Sequence, residues 1–186
     1  EAFYEGTIHR KAYLVKVEDE VISFKPQEIN ALFDLPNIAA AEGNRIMSMP
    51  TDTEMNDALT TIAKPGSEWN TSPKGIQTLA PTCLIAEANL WLYFIKRSLL
   101  PTMHDASISR DRAMVIYCIM QGIQLDVGRI IAPQIRGLFF KPKGQLFFPF
   151  LVTRLCANAQ FMEDAPVRAV NGVLSTQSLR RILKNS

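Results

Sequence analysis

A mainly α-helical fold is predicted, a compact helical domain around a central apolar helix with a small N-terminal β-hairpin, and three observations predict it. Apolar residues recur at helical spacing through much of the chain after Thr51. Residues 113–120, Ala-Met-Val-Ile-Tyr-Cys-Ile-Met, are apolar without interruption, which marks a helix buried on most sides yet far shorter than the roughly 18 residues a membrane span requires. Alternating β-branched and aromatic residues are confined to residues 12–24, and strands nowhere alternate with helices as a parallel sheet demands. With 186 residues, 47% hydrophobic and 20% charged, the chain has material for a core and is not a disordered, collagen-like or disulfide-scaffold sequence.

The elements follow in order. Two runs around Glu18-Asp19-Glu20 read as a hairpin over 12–24. Pro26 opens a short helix with Ile29, Leu32 and Phe33 on one side, and Leu35-Pro36 ends it because a residue before proline avoids the helical region. Residues 36–50 read as a loop. Thr51-Asp52-Thr53-Glu54 fits a capping box for a helix over 52–63, closed by Lys64-Pro65-Gly66. The Pro- and Gly-rich stretch 65–81 reads as an irregular connector, with Trp69 anchored on the body. Pro81 opens a helix over 81–99 whose main stripe is Leu84, Ile85, Ala88, Trp91, Leu92, Ile95 and Leu99, with a second stripe of Leu90 and Phe94. That second stripe is either sandwiched inside the domain or offered to a partner.

Ser109 caps the central helix over 110–121 and Gly122 stops it. Asp126 caps a helix from 127 carrying Val127, Ile130, Ile131 and Ile135, which Pro133 should kink or end early. Lys141-Pro142-Lys143-Gly144 is a basic turn between phenylalanine pairs. Pro149 starts a helix to about residue 160 with Leu151, Val152, Leu155 and Cys156 inward, and Ser175 or Thr176 caps a last one over 177–184.

Charge is unevenly spread: residues 1–60 hold eleven acids and five bases, residues 61–186 seven acids and fifteen bases. The division expected is an acidic annex over 1–64, the connector over 65–81 and a basic helical body over 82–186, forming one structural unit overall. Two functional surfaces are expected. Lys96, Arg97, Arg110, Arg112, Arg129, Arg136, Lys141, Lys143 and Arg154 are candidates for nucleic-acid phosphates, though Arg112 and Arg129 could instead pair with Asp111, Asp126 or Glu87. Leu90, Phe94, Phe139, Phe140, Phe147 and Phe148 are candidates for a protein partner or self-association, unless the phenylalanines fill the core.

No enzyme is expected. The chain has neither a P-loop nor a dinucleotide fingerprint, and Asp126 with Glu163 lacks the sheet on which a two-metal nuclease displays its carboxylates. The two histidines, His9 and His104, sit in no metal-ligand spacing, so no metal or cofactor is expected, nor a small-molecule substrate or a membrane. Cys83, Cys118 and Cys156 are odd in number and far apart, which points to thiols and an intracellular, reducing compartment, nucleus or cytoplasm. Glu1-Ala2-Phe3-Tyr4-Glu5 has nothing of a secretory signal.

An ordered set of segments carries a resemblance. It comprises residues 21–36 (Val-Ile-Ser-Phe-Lys-Pro-Gln-Glu-Ile-Asn-Ala-Leu-Phe-Asp-Leu-Pro), Pro65-Gly66-Ser67-Glu68-Trp69, Leu90-Trp91-Leu92-Tyr93-Phe94, and Leu99-Leu100-Pro101-Thr102-Met103-His104. Ser109-Arg110-Asp111-Arg112-Ala113, residues 125–131 and residues 147–156 complete it. Together they resemble a plant transposon protein domain family found in open reading frames of plant retroelements. Ala80-Pro81 stands where that family usually has a Thr-Pro cap, and Pro133 is unusual in its helix. The resemblance implies a plant source and descent from a mobile element, and it transfers no catalytic residues. The function expected is a non-catalytic protein-interaction or self-assembly module, the alternative being a sequence-independent nucleic-acid-binding domain.

Overall fold

The computed structural model describes residues 7–9, 13–17, 19–102, 106–139 and 147–159. Among them are seven α-helices and two small antiparallel sheets, so the chain is mainly α with a small β part. Contacts gather these residues into two units: one joins the residues up to Ile38 with those from Asp126 onward, and the other runs from Ala39 to Leu125. The expected acidic annex is therefore shared between them.

In the first unit β1 (Thr7–His9), β2 (Leu14–Val17) and β3 (Glu20–Ser23) form an antiparallel sheet in that order. The expected hairpin is β2–β3, with Val17 opposite Glu20 and Val15 opposite Ile22; β1 adds a third strand that the sequence reading did not anticipate. Val15, Val17 and Ile22 are buried while Lys16 and Val21 are exposed, the two faces that a pleated strand separates. Phe24 follows, fully buried, its N–H donating to the Tyr13 carbonyl at 2.9 Å.

Helix α1 (Pro26–Leu32) begins at its proline and buries Ile29, Asn30 and Leu32. Phe33, expected inward, caps the helix end and stays 38% exposed, because the chain turns away there through Asp34 at φ 53°. The helix over Val127–Leu138 packs on α1, and one over Pro149–Asn158 packs on α1 and β3. The first of these does not end at Pro133. Its apolar residues Ile130, Ile131, Ala132 and Ile135 are buried on both sides of the proline, and that burial outweighs the missing amide bond. Leu151, Val152, Leu155 and Cys156 point inward as expected.

The second unit contains α2 (Glu42–Ser48), α3 (Asp52–Ile62), β4 (Asn70–Thr71), β5 (Gln77–Leu79), a 3-10 turn (Pro81–Cys83), α4 (Ala86–Ser98), β6 (Ile108–Ser109) and α5 (Arg110–Met120). The helices at Val127–Leu138 and Pro149–Asn158 are thus α6 and α7. Helix α5 is the central apolar helix: α2, α3 and α4 all pack on it, and Ala113 to Cys118 are buried without exception. Gly122 stops it at φ +66°.

Three local expectations change. Helix α2 lies in the expected loop; it has no side-chain cap and contains Gly43, whose N–H donates to the Gln124 carbonyl at 3.0 Å, so tertiary packing supplies what its sequence lacks. The connector holds the β4–β5 hairpin, to which β6 adds. Helix α4 begins at Ala86 rather than Pro81, because Leu84 pairs with Ala63, the Lys64 N–H donates to Cys83 O at 2.7 Å and the Ile85 N–H to Ile62 O at 3.1 Å. These bonds hold Leu84 and Ile85 extended. The capping box of α3 is complete: Thr51 Oγ1 accepts the Glu54 amide at 3.3 Å and Glu54 Oε2 accepts the Thr51 amide at 2.7 Å. Trp69 is anchored on α3, within the expected annex, by its indole N–H donating to Met55 O at 3.2 Å, a contact outside the expected body.

Candidate interaction surfaces

The basic candidates divide between the two units. In the α5 unit, Arg112 is half-buried and spends its donors on the chain around it: Nε on Leu100 O at 3.0 Å, Nη2 on Pro101 O at 3.3 Å and Nη1 on Ser109 Oγ at 2.9 Å. It fastens the segment after α4 to the start of α5, and burial lowers its pKa from the ordinary arginine value against the opposing pull of Asp111. Ser109 holds the N-cap position of α5, but its hydroxyl accepts from Arg112 instead of from a helix amide. Arg97 lies over the Tyr93 ring at 5.0 Å. Arg110, at the start of α5, has a buried Nε with no hydrogen-bond partner among the described residues, and Lys96, on α4 with Arg97, is itself engaged.

In the hairpin unit Arg129 pairs with Asp126, Nε to Oδ2 at 3.5 Å. Arg136 lies 5.0 Å from the Tyr13 ring, and Arg154 lies 5.9 Å from the Phe33 ring and 5.8 Å from that of Phe150. Lys141 and Lys143 lie outside the described residues, as does the expected helix over 177–184.

Asp126 is a cap and more than a cap. Its Oδ1 accepts the Arg129 amide at 3.0 Å and Asn30 Nδ2 at 2.9 Å, while Oδ2 accepts the Ile38 amide at 3.3 Å. Asn30, fully buried, also donates to Asn37 Oδ1 at 3.0 Å and accepts the Gly128 amide at 2.7 Å. Every one of these contacts is internal, so the carboxylate's work here is to fasten α1 to α6; Glu163, its one-time partner for metal chemistry, lies outside the described residues. Among the described residues no three His, Cys, Asp or Glu side chains gather as a metal would need, and no helix is long and apolar enough to cross a membrane.

The cysteines are free thiols. Burial pushes Cys118 up to about 11, with the charges of Glu54 and Glu42 adding to the shift, and burial likewise raises Cys156. Cys118 is a core residue.

The apolar candidates separate into core and surface. Phe139 stacks on buried Phe24 at 6.1 Å, with Tyr13 edge-on to Phe24 at 5.8 Å, so Phe139 joins the core of the hairpin unit. Phe147 and Phe148 are half-buried before α7, and Phe140 lies outside the described residues. On α4, Ala88, Leu92 and Ile95 are buried whereas Phe94 is 40% exposed, with Trp91 edge-on to it at 6.2 Å and Leu90 half-buried. Phe150, in the phenylalanine-rich segment 139–150 from which the sequence argues an interaction surface, is 40% exposed, and Phe33 and Leu35, which are not among the sequence candidates, are 38% and 37% exposed. Phe33 shares its helix side with the core residues Ile29 and Leu32 and is exposed by the turn at Asp34, whereas helical spacing sets Phe150 on the side of α7 opposite Leu151, Val152, Leu155 and Cys156.

No curated protein and no solved structure gives a significant match to the chain. A family model described as "Putative plant retrotransposon-related domain" matches residues 2–161. That span takes in both units and every ordered segment of the resemblance, and the chain belongs to this family of plant retrotransposon-related domains.

Proposed function

We propose that this domain is a non-catalytic protein-interaction or self-assembly module that uses the outer face of α4. The observation that carries the reading is Phe94, 40% exposed with Trp91 against its edge, on a helix whose opposite face is already packed into the core. Exposed aromatics of this size are what interfaces bury at their centres. The free thiols fit an intracellular reducing compartment, nucleus or cytoplasm, as the place where it acts.

A second reading, sequence-independent nucleic-acid binding, is favoured by Arg110, whose Nε has no acceptor among the described residues and which stands on the same unit as Lys96, Arg97 and Arg112. Most of the other cations are committed to internal contacts, which leaves this reading second. The test is light scattering on the protein alone and with a mixed-sequence nucleic acid, at low and moderate salt. A salt-insensitive assembly that Phe94→Glu dissolves, with the circular dichroism unchanged, supports the module. A monomer that gains mass only with nucleic acid at low salt overturns it, and charge reversal at Lys141 and Lys143 should then lower the affinity and flatten its salt dependence. Loss of folding in Phe94→Glu assigns Phe94 to the core.

A further inference from the structure

The hairpin unit carries a second surface, distinct from α4, where two distant parts of the chain meet around one cation. Phe33 closes α1 and Phe150 lies in the first turn of α7. Arg154, one turn further along α7, sets its guanidinium 5.9 Å from one ring and 5.8 Å from the other. Both rings are about two-fifths exposed and Leu35 extends the apolar rim. Among the described residues no carboxylate pairs with Arg154 and no carbonyl accepts from it.

A guanidinium flanked by aromatic rings uses its π-faces on them and keeps its N–H edge for an acceptor in its own plane. A carboxylate fits that edge with two parallel hydrogen bonds, and apolar neighbours that exclude water strengthen the pair. Charge complementarity therefore selects the occupant. A phosphate backbone would need a track of cations, and among the described residues Arg154 is the cation set over these two rings.

We infer that Phe33, Phe150 and Arg154 form a docking site for a protein segment that carries one carboxylate between apolar side chains. The carboxylate binds the guanidinium edge and the apolar side chains cover the two rings. This site is independent of α4, so its failure would leave the α4 reading standing, and the reverse.

The experiment is titration of the isotope-labelled full chain with acetyl-Leu-Glu-Leu-Phe-amide and with its Gln counterpart, read by amide chemical shifts. The Glu peptide is expected to shift residues at the end of α1 and the start of α7 and to bind about tenfold more tightly than the Gln peptide, the size of one charge-assisted bond. Arg154→Gln should abolish that preference, while Phe33→Ala should weaken both peptides; a dispersed spectrum in each variant confirms that it is folded. Equal binding of the two peptides, no binding, or shifts elsewhere would overturn the assignment. So would tighter binding of an oligothymidylate to the same residues, or a concentration-dependent assembly that Arg154→Gln dissolves, which would give the surface to nucleic acid or to a second copy.

Discussion

Each of the two units has its own kind of internal support. The α5 unit is organised around a helix whose residues from Ala113 to Cys118 are apolar and buried, with neighbours on three other helices. The hairpin unit also has an apolar core, but α1 and α6 are fastened across it by polar atoms: Asn30, Asp126 and the Gly128 amide, nearly all out of water. Apolar packing tolerates small adjustments because dispersion and burial are spread over many contacts. A buried hydrogen-bonded node tolerates very little, since each atom left unpaired costs its full desolvation.

The sharpest break in the hairpin unit should come at Gly128. A Cβ there would lie 2.0 Å from the Pro26 carbonyl oxygen and 2.9 Å from Asn30 Oδ1, so the backbone of α1 would have to retreat and the node would open. Gly128→Ala is expected to cost about 3 kcal/mol or more in urea unfolding. Gly137→Ala, in the same helix with open space around it, should instead gain roughly 0.5–1 kcal/mol from helix propensity. A Gly128→Ala protein as stable as the parent would show that the helices are not in the close contact on which the comparison rests. Both tryptophans, Trp69 and Trp91, belong to the α5 unit, so fluorescence follows that unit while circular dichroism follows both. A loss seen by dichroism alone would separate the units thermodynamically; a coincident loss would show that they unfold together.

Next in size is Asn30→Ala. It strips the Gly128 amide of its acceptor and Asp126 Oδ1 of one donor, and about 2 kcal/mol should be lost. Thr51→Ala in the α5 unit removes an exposed cap, where water can replace the hydroxyl, and about 1 kcal/mol is expected from the same urea titration. Equal costs would mean that burial adds nothing to the Asn30 node.

This contrast also explains what the sequence could and could not reveal. The central helix was legible because eight consecutive apolar residues, 113–120, have no other sensible place, and the capping box at Thr51 was legible because its partners are three residues apart. Asp126 was readable as a cap for the same reason, but its bond to Asn30 spans 96 positions and no local pattern announces it. Helix α2 was missed because Gly43 speaks against a helix until Leu125 and Gln124 are known to lie against it. The delayed start of α4 depends on backbone bonds to Ile62 and Lys64, again a tertiary fact. As for the surfaces, helical spacing set Phe94 on a second stripe apart from Ala88, Leu92 and Ile95 but left open whether that stripe was covered, and the same spacing grouped Phe33 with Ile29 and Leu32. Periodicity says which residues share a face; where a helix ends, the chain's exit direction decides exposure, and at Phe33 that direction is set by the left-handed turn at Asp34.

The smallest expected effect concerns charge on the surface of the α5 unit, and it tests whether that unit depends on ionised groups at all. Arg45 donates Nε to Glu42 Oε1 at 3.1 Å and Nη1 to Glu54 Oε2 at 3.3 Å, with Nη2 reaching a carboxylate oxygen of each. These bonds hold both carboxyls below their ordinary pKa, Glu54 being helped by the Thr51 amide as well. Carboxyls depressed in the folded state add stability that is complete above their unfolded values, about 4.3, and that is lost as pH falls through the lower folded ones. Stability by fluorescence should therefore decline between pH 5 and pH 3, and Arg45→Gln should shallow that decline while changing little at pH 7. Because Arg45 and Glu42 are exposed and Glu54 is only half-buried, the difference should be small and should vanish in about 1 M salt, where screening shortens to roughly 3 Å. An acid-side slope identical in the variant would place the acid sensitivity of this unit elsewhere. It would also take this surface cluster out of the support of the unit and widen the contrast with the buried Asn30–Asp126 node.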